Sequence, residues 1–88
     1  MYKDNYSEEI AKNLIRLKKK NPAQYLSVRR KMDQILANPG HNYKYLHYTL
    51  QGIKRVHLGH FVLIFIIDHA KKTVSFEDYD HHDRIYKN

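Results

Sequence analysis

The sequence predicts an α+β domain in which an N-terminal helical hairpin packs on a small, mostly antiparallel twisted sheet. Three observations carry this. Apolar residues recur at helical spacing on both sides of Asn21-Pro22. Beyond Gly52 the periodicity shortens to two. Within that second part, Phe61-Val62-Leu63-Ile64-Phe65-Ile66-Ile67 is the only long apolar run in a very polar chain. It is β-branched and aromatic, seven residues long, and bounded by Gly59-His60 and Asp68-His69, as a central strand buried on both faces should be.

Tyr2 to Tyr6 has little apolar face and makes at most a short strand. Ser7 is a natural helix N-cap, followed by Glu8 and Glu9 where the helix dipole favours acids. Ile10, Leu14 and Leu17 then recur at i, i+4 and i+7, and Lys18-Lys19-Lys20 suits a helix C-terminus. Asn21-Pro22 ends this helix and starts a second. There Tyr25, Val28, Met32 and Ile35 form the apolar stripe, and Asn38-Pro39-Gly40 stops it. Arg29, Arg30 and Lys31 read as its solvated outer face.

Residues 41–52 read as an aromatic-rich loop in which tyrosines beside Lys44 could stack on bases or simply pack. Ile53 to Leu58 alternates, with Val56 and Leu58 on one face and Arg55 and His57 on the other. Gly59-His60 turns into the central strand, and Asp68 to Lys72 turns out of it. Thr73 to Tyr79 supplies the last strand, with Val74 and Phe76 on one face.

The whole chain of 88 residues is expected to form one domain, residues 1–88, with one core. It has no cysteine, which excludes a disulfide frame and a thiolate zinc site. No stretch approaches the roughly 20 apolar residues of a membrane span, and the N-terminus lacks the apolar core of a signal peptide. The expected compartment is the cytoplasm. Sixteen Lys and Arg against nine Asp and Glu give a net charge of +7, which attracts polyanions and makes nucleic acid the first partner to consider. All seven histidines follow residue 40, so the first half reads as scaffold and the second as a site.

Cleaving RNA without a metal requires a base for the ribose 2′-hydroxyl, an acid for the departing 5′-oxygen and cations for the phosphorane-like transition state. Histidine fills the first two roles near neutral pH. His57 and Arg55 share a strand face, and a last strand beside the central one returns His81 and His82 toward the same edge.

At these positions the chain resembles the RelE/ParE superfamily of small toxins. The resemblance rests on the helical hairpin ending in Asn38-Pro39 and on Lys54-Arg55-Val56-His57-Leu58-Gly59 leading into Phe61 to Asp68. It extends to Asp80-His81-His82-Asp83-Arg84-Ile85-Tyr86. The histidine pattern is similar to the YafQ-like branch, with His47 before Leu50-Gln51-Gly52, His57 before the apolar strand and His82 four residues ahead of Tyr86. The arginine that many RelE toxins carry just after the Gly-aromatic step is replaced here by His60-Phe61-Val62.

The resemblance implies a ribosome-dependent messenger-RNA endoribonuclease, held inactive by a cognate antitoxin and using no cofactor. His57 and His82 resemble the acid/base histidines, and His47 a third site histidine. Lys54 and Arg55 resemble the phosphate-contacting cations, and Tyr86 an aromatic at the site edge. Lys44 and His81 are further candidates for RNA contact. One sheet face is thus expected to present Lys54, Arg55, His57 and His82. Two other readings stand beside this one. His57, His60 and His82 with Asp80 or Asp83 could form a mixed metal site. Alternatively, the chain could be a gyrase-directed ParE-like toxin or a degenerate binding module.

Overall fold

The computed structural model describes residues 1–46 and 52–86. Strand β1 (Lys3–Tyr6) leads into helices α1 (Glu8–Lys20) and α2 (Pro22–Ala37), followed by β2 (Lys44–Tyr45), β3 (Lys54–Leu58), β4 (Phe61–Asp68), β5 (Thr73–His81) and a short helix α3 (His82–Ile85). The strands form one sheet in the order β1-β5-β4-β3-β2. Only β1, parallel to β5, breaks the antiparallel pattern. The predicted fold class is the one observed, with the apolar run as the central strand.

Local chemistry accounts for the hairpin. Ser7 Oγ accepts from the Ile10 N–H at 3.1 Å and donates to the Glu77 carbonyl at 2.6 Å, so one hydroxyl caps α1 and ties it to β5. Asn21 closes α1 through its N–H on the Leu17 carbonyl at 2.7 Å and opens α2 by accepting from the Gln24 N–H at 3.2 Å. Ile10, Leu14, Val28, Met32, Ile35 and Leu36 then pack on Leu63, Phe65, Val74, Phe76 and Tyr79 of the sheet.

Beside this core, Val62 and Ile64 are also buried, although strand alternation turns them to the opposite sheet face. The middle of β4 is therefore covered on both sides. On the second face α3 folds back on β4 and β5. The sequence pattern predicted no helix there and ended the last strand at Tyr79; the strand runs two residues further, and His81 caps α3 by accepting from the Asp83 N–H at 3.1 Å. Gly59, with φ of +62°, takes the first position of the two-residue β3–β4 turn, where a positive φ is required.

The polar strand β1 forms because its ends are anchored. Tyr2 donates its N–H to the Leu36 carbonyl at 3.2 Å, and the Tyr6 ring stacks on Phe76 at 5.6 Å. Arg29, expected on a solvated face, instead donates to the Tyr6 hydroxyl at 2.9 Å and joins α2 to this edge.

Candidate active site

The β3–β4 register is continuous from Lys54↔Phe65 to Leu58↔Phe61, so each β3 side chain has a defined face. Lys54, Val56 and Leu58 share the face of Leu63 and Phe65, toward the helices. Arg55 and His57 share that of Ile64 and Val62, away from them. Lys44 is the cross-strand partner of Arg55 and joins this open face. Lys54 does not. It lies with its ammonium 5.1 Å from the Tyr45 ring centroid, so the expected group of Lys54 with Arg55 and His57 is corrected to Lys44 with Arg55 and His57.

The turn from β5 into α3 separates the two adjacent histidines. His81 goes toward the other side, its ring 6.2 Å from that of His60 and 5.5 Å from Phe61. His82 comes over the open face, its ring centroid 5.8 Å from that of His57. A 2.7 Å hydrogen bond from the His82 N–H to the His60 carbonyl fixes where α3 starts and hence where this ring sits. Tyr86, one turn later, lies 4.6 Å from the His82 ring and 6.3 Å from the His57 ring. Two imidazoles, a phenol and a guanidinium thus converge on one exposed patch. His60 is directed away from it, and among the described residues no group of three or more metal-ligating side chains is arranged to hold an ion. His47 lies outside the described residues.

The electrostatics of the patch are cationic. Arg55 Nη1 lies 3.2 Å from His57 Nδ1, while the Arg55 Nε is buried without a hydrogen-bond partner among the described residues. Partial burial, and after it the positive charges of Arg55, His82 and Lys44, hold the His57 imidazole below its ordinary pKa. At neutral pH His57 is therefore a neutral ring beside permanent cations. Asp83 sits on the far side of the patch, its carboxylate 3.5 Å from His82 Nδ1. Asp80 is engaged elsewhere, accepting from Arg84 at 3.0 Å. Such a set can accept and donate protons and can hold a phosphate.

Sequence reasoning named Lys44 as a candidate for RNA contact but found neither α3 nor the strand pairing that sets Lys44 opposite Arg55. Helix α3 spans only His82–Ile85 behind its cap at His81, too short for periodicity to register. The Lys44 placement follows from a two-residue strand, which has no pattern of its own.

The chain is similar to other proteins over nearly its whole length. A Methanosarcina mazei "Uncharacterized protein" is 45% identical over 98% of this chain and 100% of its own. The Methanocaldococcus jannaschii protein named "Putative toxin RelE4" is 42% identical over 99% of this chain and 93% of its own. No protein-family model matches. Among solved structures, a metal-bound toxin from Helicobacter pylori superposes with a TM-score of 0.77 at 21% identity, covering 98% of this chain and 100% of that one. The toxin of the intact Escherichia coli RelBE toxin–antitoxin complex superposes with a TM-score of 0.76 at 14% identity, covering 92% and 96%. These structures share the fold, and the full-length identity to the Methanocaldococcus protein decides the family: the chain belongs to the RelE superfamily of toxins.

Proposed function

We propose that this protein is the toxin of a type II toxin–antitoxin pair and acts in the cytoplasm as a ribosome-dependent messenger-RNA endoribonuclease. The observation that carries the reading is the approach of His57 and His82, rings 5.8 Å apart, on an exposed cationic face with Arg55 and Tyr86 beside them. Two imidazoles supply the base and the acid that cleavage beside a ribose 2′-hydroxyl needs, and they do so without a metal. The products are a 2′,3′-cyclic phosphate and a 5′-hydroxyl. Arg55 and Lys44 stabilise the phosphate charge, and Tyr86 offers a ring for a neighbouring base. A net charge of +7 suits entry into a polyanionic decoding site. The antitoxin partner is supported by the likeness to the toxin in the E. coli complex.

The test is primer extension on a defined messenger in a cell-free translation system, with chelator present and with His57→Ala and His82→Ala beside the wild type. Ribosome-dependent cuts at the A-site codon that weaken by about a hundredfold or more in either variant are expected. A folded wild type that leaves the messenger intact refutes the nuclease reading and turns attention to gyrase.

A further inference from the structure

Strand β5 outruns the partner on its outer side. The β1 pairing stops at Tyr6↔Phe76, while β5 continues to His81. Hydrogen-bonded and open pairs alternate along an antiparallel ladder. The His82 N–H on the His60 carbonyl at 2.7 Å sets the phase: Val62↔Asp80 and Ile64↔Asp78 carry the ladder bonds, and Tyr79 and His81 turn their backbone groups outward. Helix α1 does not seal this edge. A cleft of about 420 Å³, lined by Asn13, Leu17, Tyr79 and Asp80 among others, lies between the two. A sheet edge of this kind is a template for another strand.

Side chains already hold the outward groups. The Tyr79 N–H donates to Asp78 Oδ1 at 2.8 Å and the His81 N–H to Asp80 Oδ1 at 2.7 Å, each to the carboxylate of the residue before it. The Tyr79 carbonyl accepts from Asn13 Nδ2 at 3.3 Å. Ser7 donates its N–H to the Phe76 carbonyl at 3.0 Å and its hydroxyl to that of Glu77 at 2.6 Å. Arg84 steadies Asp80 from α3, donating to the same Oδ1 at 3.0 Å. We infer that Asp78 and Asp80 close this edge against pairing with the β5 edge of a second copy of the chain. A second copy is the occupant to exclude because two such edges related by a two-fold axis run antiparallel, so every copy supplies the same contact. An incoming strand has to displace the acceptor from each N–H and leave a half-buried side-chain oxygen short of a partner, which costs more than the new bond returns. The closure holds whatever the protein cleaves.

The test compares Asp78→Ala/Asp80→Ala with Asp78→Asn/Asp80→Asn by light scattering over a concentration series. Asparagine keeps an acceptor oxygen at both positions and removes only the charge. The alanine variant is expected to dimerise at least about tenfold more tightly than the wild type, and the asparagine variant to stay within about threefold of it. An alanine variant that associates no more than the wild type, or an asparagine variant that associates as tightly as the alanine one, overturns the inference. Amide hydrogen exchange locates the contact. In the dilute wild type the Tyr79 and His81 amides should be protected with no strand beside them. In the dilute alanine variant both should exchange at least about tenfold faster and slow again as it associates. Association that leaves them fast places the contact elsewhere and overturns the inference. The wild type decides even where the alanine variant fails to fold: Tyr79 and His81 amides that exchange like those of an unstructured peptide, or that slow further as the wild type is concentrated, show an edge that is open.

Discussion

His57 and His82 come from different elements, one from strand β3 and one from the first turn of α3, and their rings meet at a centroid distance of 5.8 Å with an interplanar angle of 33°. The meeting depends on the β4–β5 ladder reaching Phe61↔His81, which brings the start of α3 level with the β3–β4 turn. Under the cleavage reading the two rings serve one chemical step, and their losses should not add. The double variant His57→Ala/His82→Ala is expected to cut messenger no more than about tenfold more slowly than the worse single variant. Loss equal to the product of the two single effects would mean that the rings act in separate steps.

The proton affinity of His57 gives a second prediction. Its pKa in the folded protein lies below the ordinary imidazole value through partial burial and then the charges of Arg55, His82 and Lys44. Between the folded and unfolded values the unfolded chain holds more protons, so this group's contribution to stability is present above the unfolded value and is lost as pH falls through the folded one. Arg55→Gln removes a facing charge and should move the His57 titration upward in pH. NMR titration of the His57 ring proton measures this, and an unchanged or lowered midpoint contradicts the electrostatic account.

The helical hairpin and the central strand were legible because each repeats its signal many times. Ile10, Leu14, Val28, Met32 and Ile35 all fall in the core at predicted stripe positions. The site was legible as a residue set but not as a geometry. Lys54 sits next to Arg55 in sequence and was grouped with it, yet the period of two sends adjacent strand residues to opposite faces. The β5 end was harder still. A bulge in the β4–β5 register between Ile64 and Phe65 shifts the phase of everything that follows, and no residue pattern announces it.

Where that core is densest, the cost of truncation should be large. Phe65 and Phe76 are fully buried, with ring centroids 6.4 Å apart, and the Tyr43 ring meets Phe65 edge-on at 5.3 Å. Phe65→Ala is expected to cost about 3–5 kcal/mol, a large share of the stability of so small a protein. Urea unfolding measures it. A loss under about 1 kcal/mol would show that the sheet and helices can collapse into the space.

Tyr6 joins the edge strand to α2 through its hydroxyl, which donates to Asp4 at 2.6 Å and accepts from Arg29 at 2.9 Å. Tyr6→Phe keeps the stack on Phe76 and removes both bonds. A loss of about 1 kcal/mol is expected; under the cleavage reading messenger cutting stays unchanged, because the edge lies at the opposite side of the sheet from β3. Hydrogen exchange of the β1 amides should quicken in the same variant. Unaltered exchange would assign the anchoring of β1 to its backbone bonds alone.

Lys44 and Lys54 provide the sharpest contrast. Both are cations on paired strands, and each is opposite a residue of the other strand: Lys44 pairs with Arg55, and Lys54 with Tyr45. Pairing places Lys44 on the His57 face, near enough for its charge to lower that ring's pKa, and places Lys54 on the helix-facing side over Tyr45. Under the cleavage reading, Lys44→Ala should slow cutting by about tenfold and flatten its dependence on salt, since one fewer cation meets phosphate. Lys54→Ala should stay within about twofold of wild type, because the charge it removes lies on the wrong side of the sheet to meet the same phosphate. Rates for both variants across a salt series decide the matter. A larger defect at Lys54 than at Lys44 would mean that RNA approaches from the helix side of β3, and the open face would then lose its claim to the substrate.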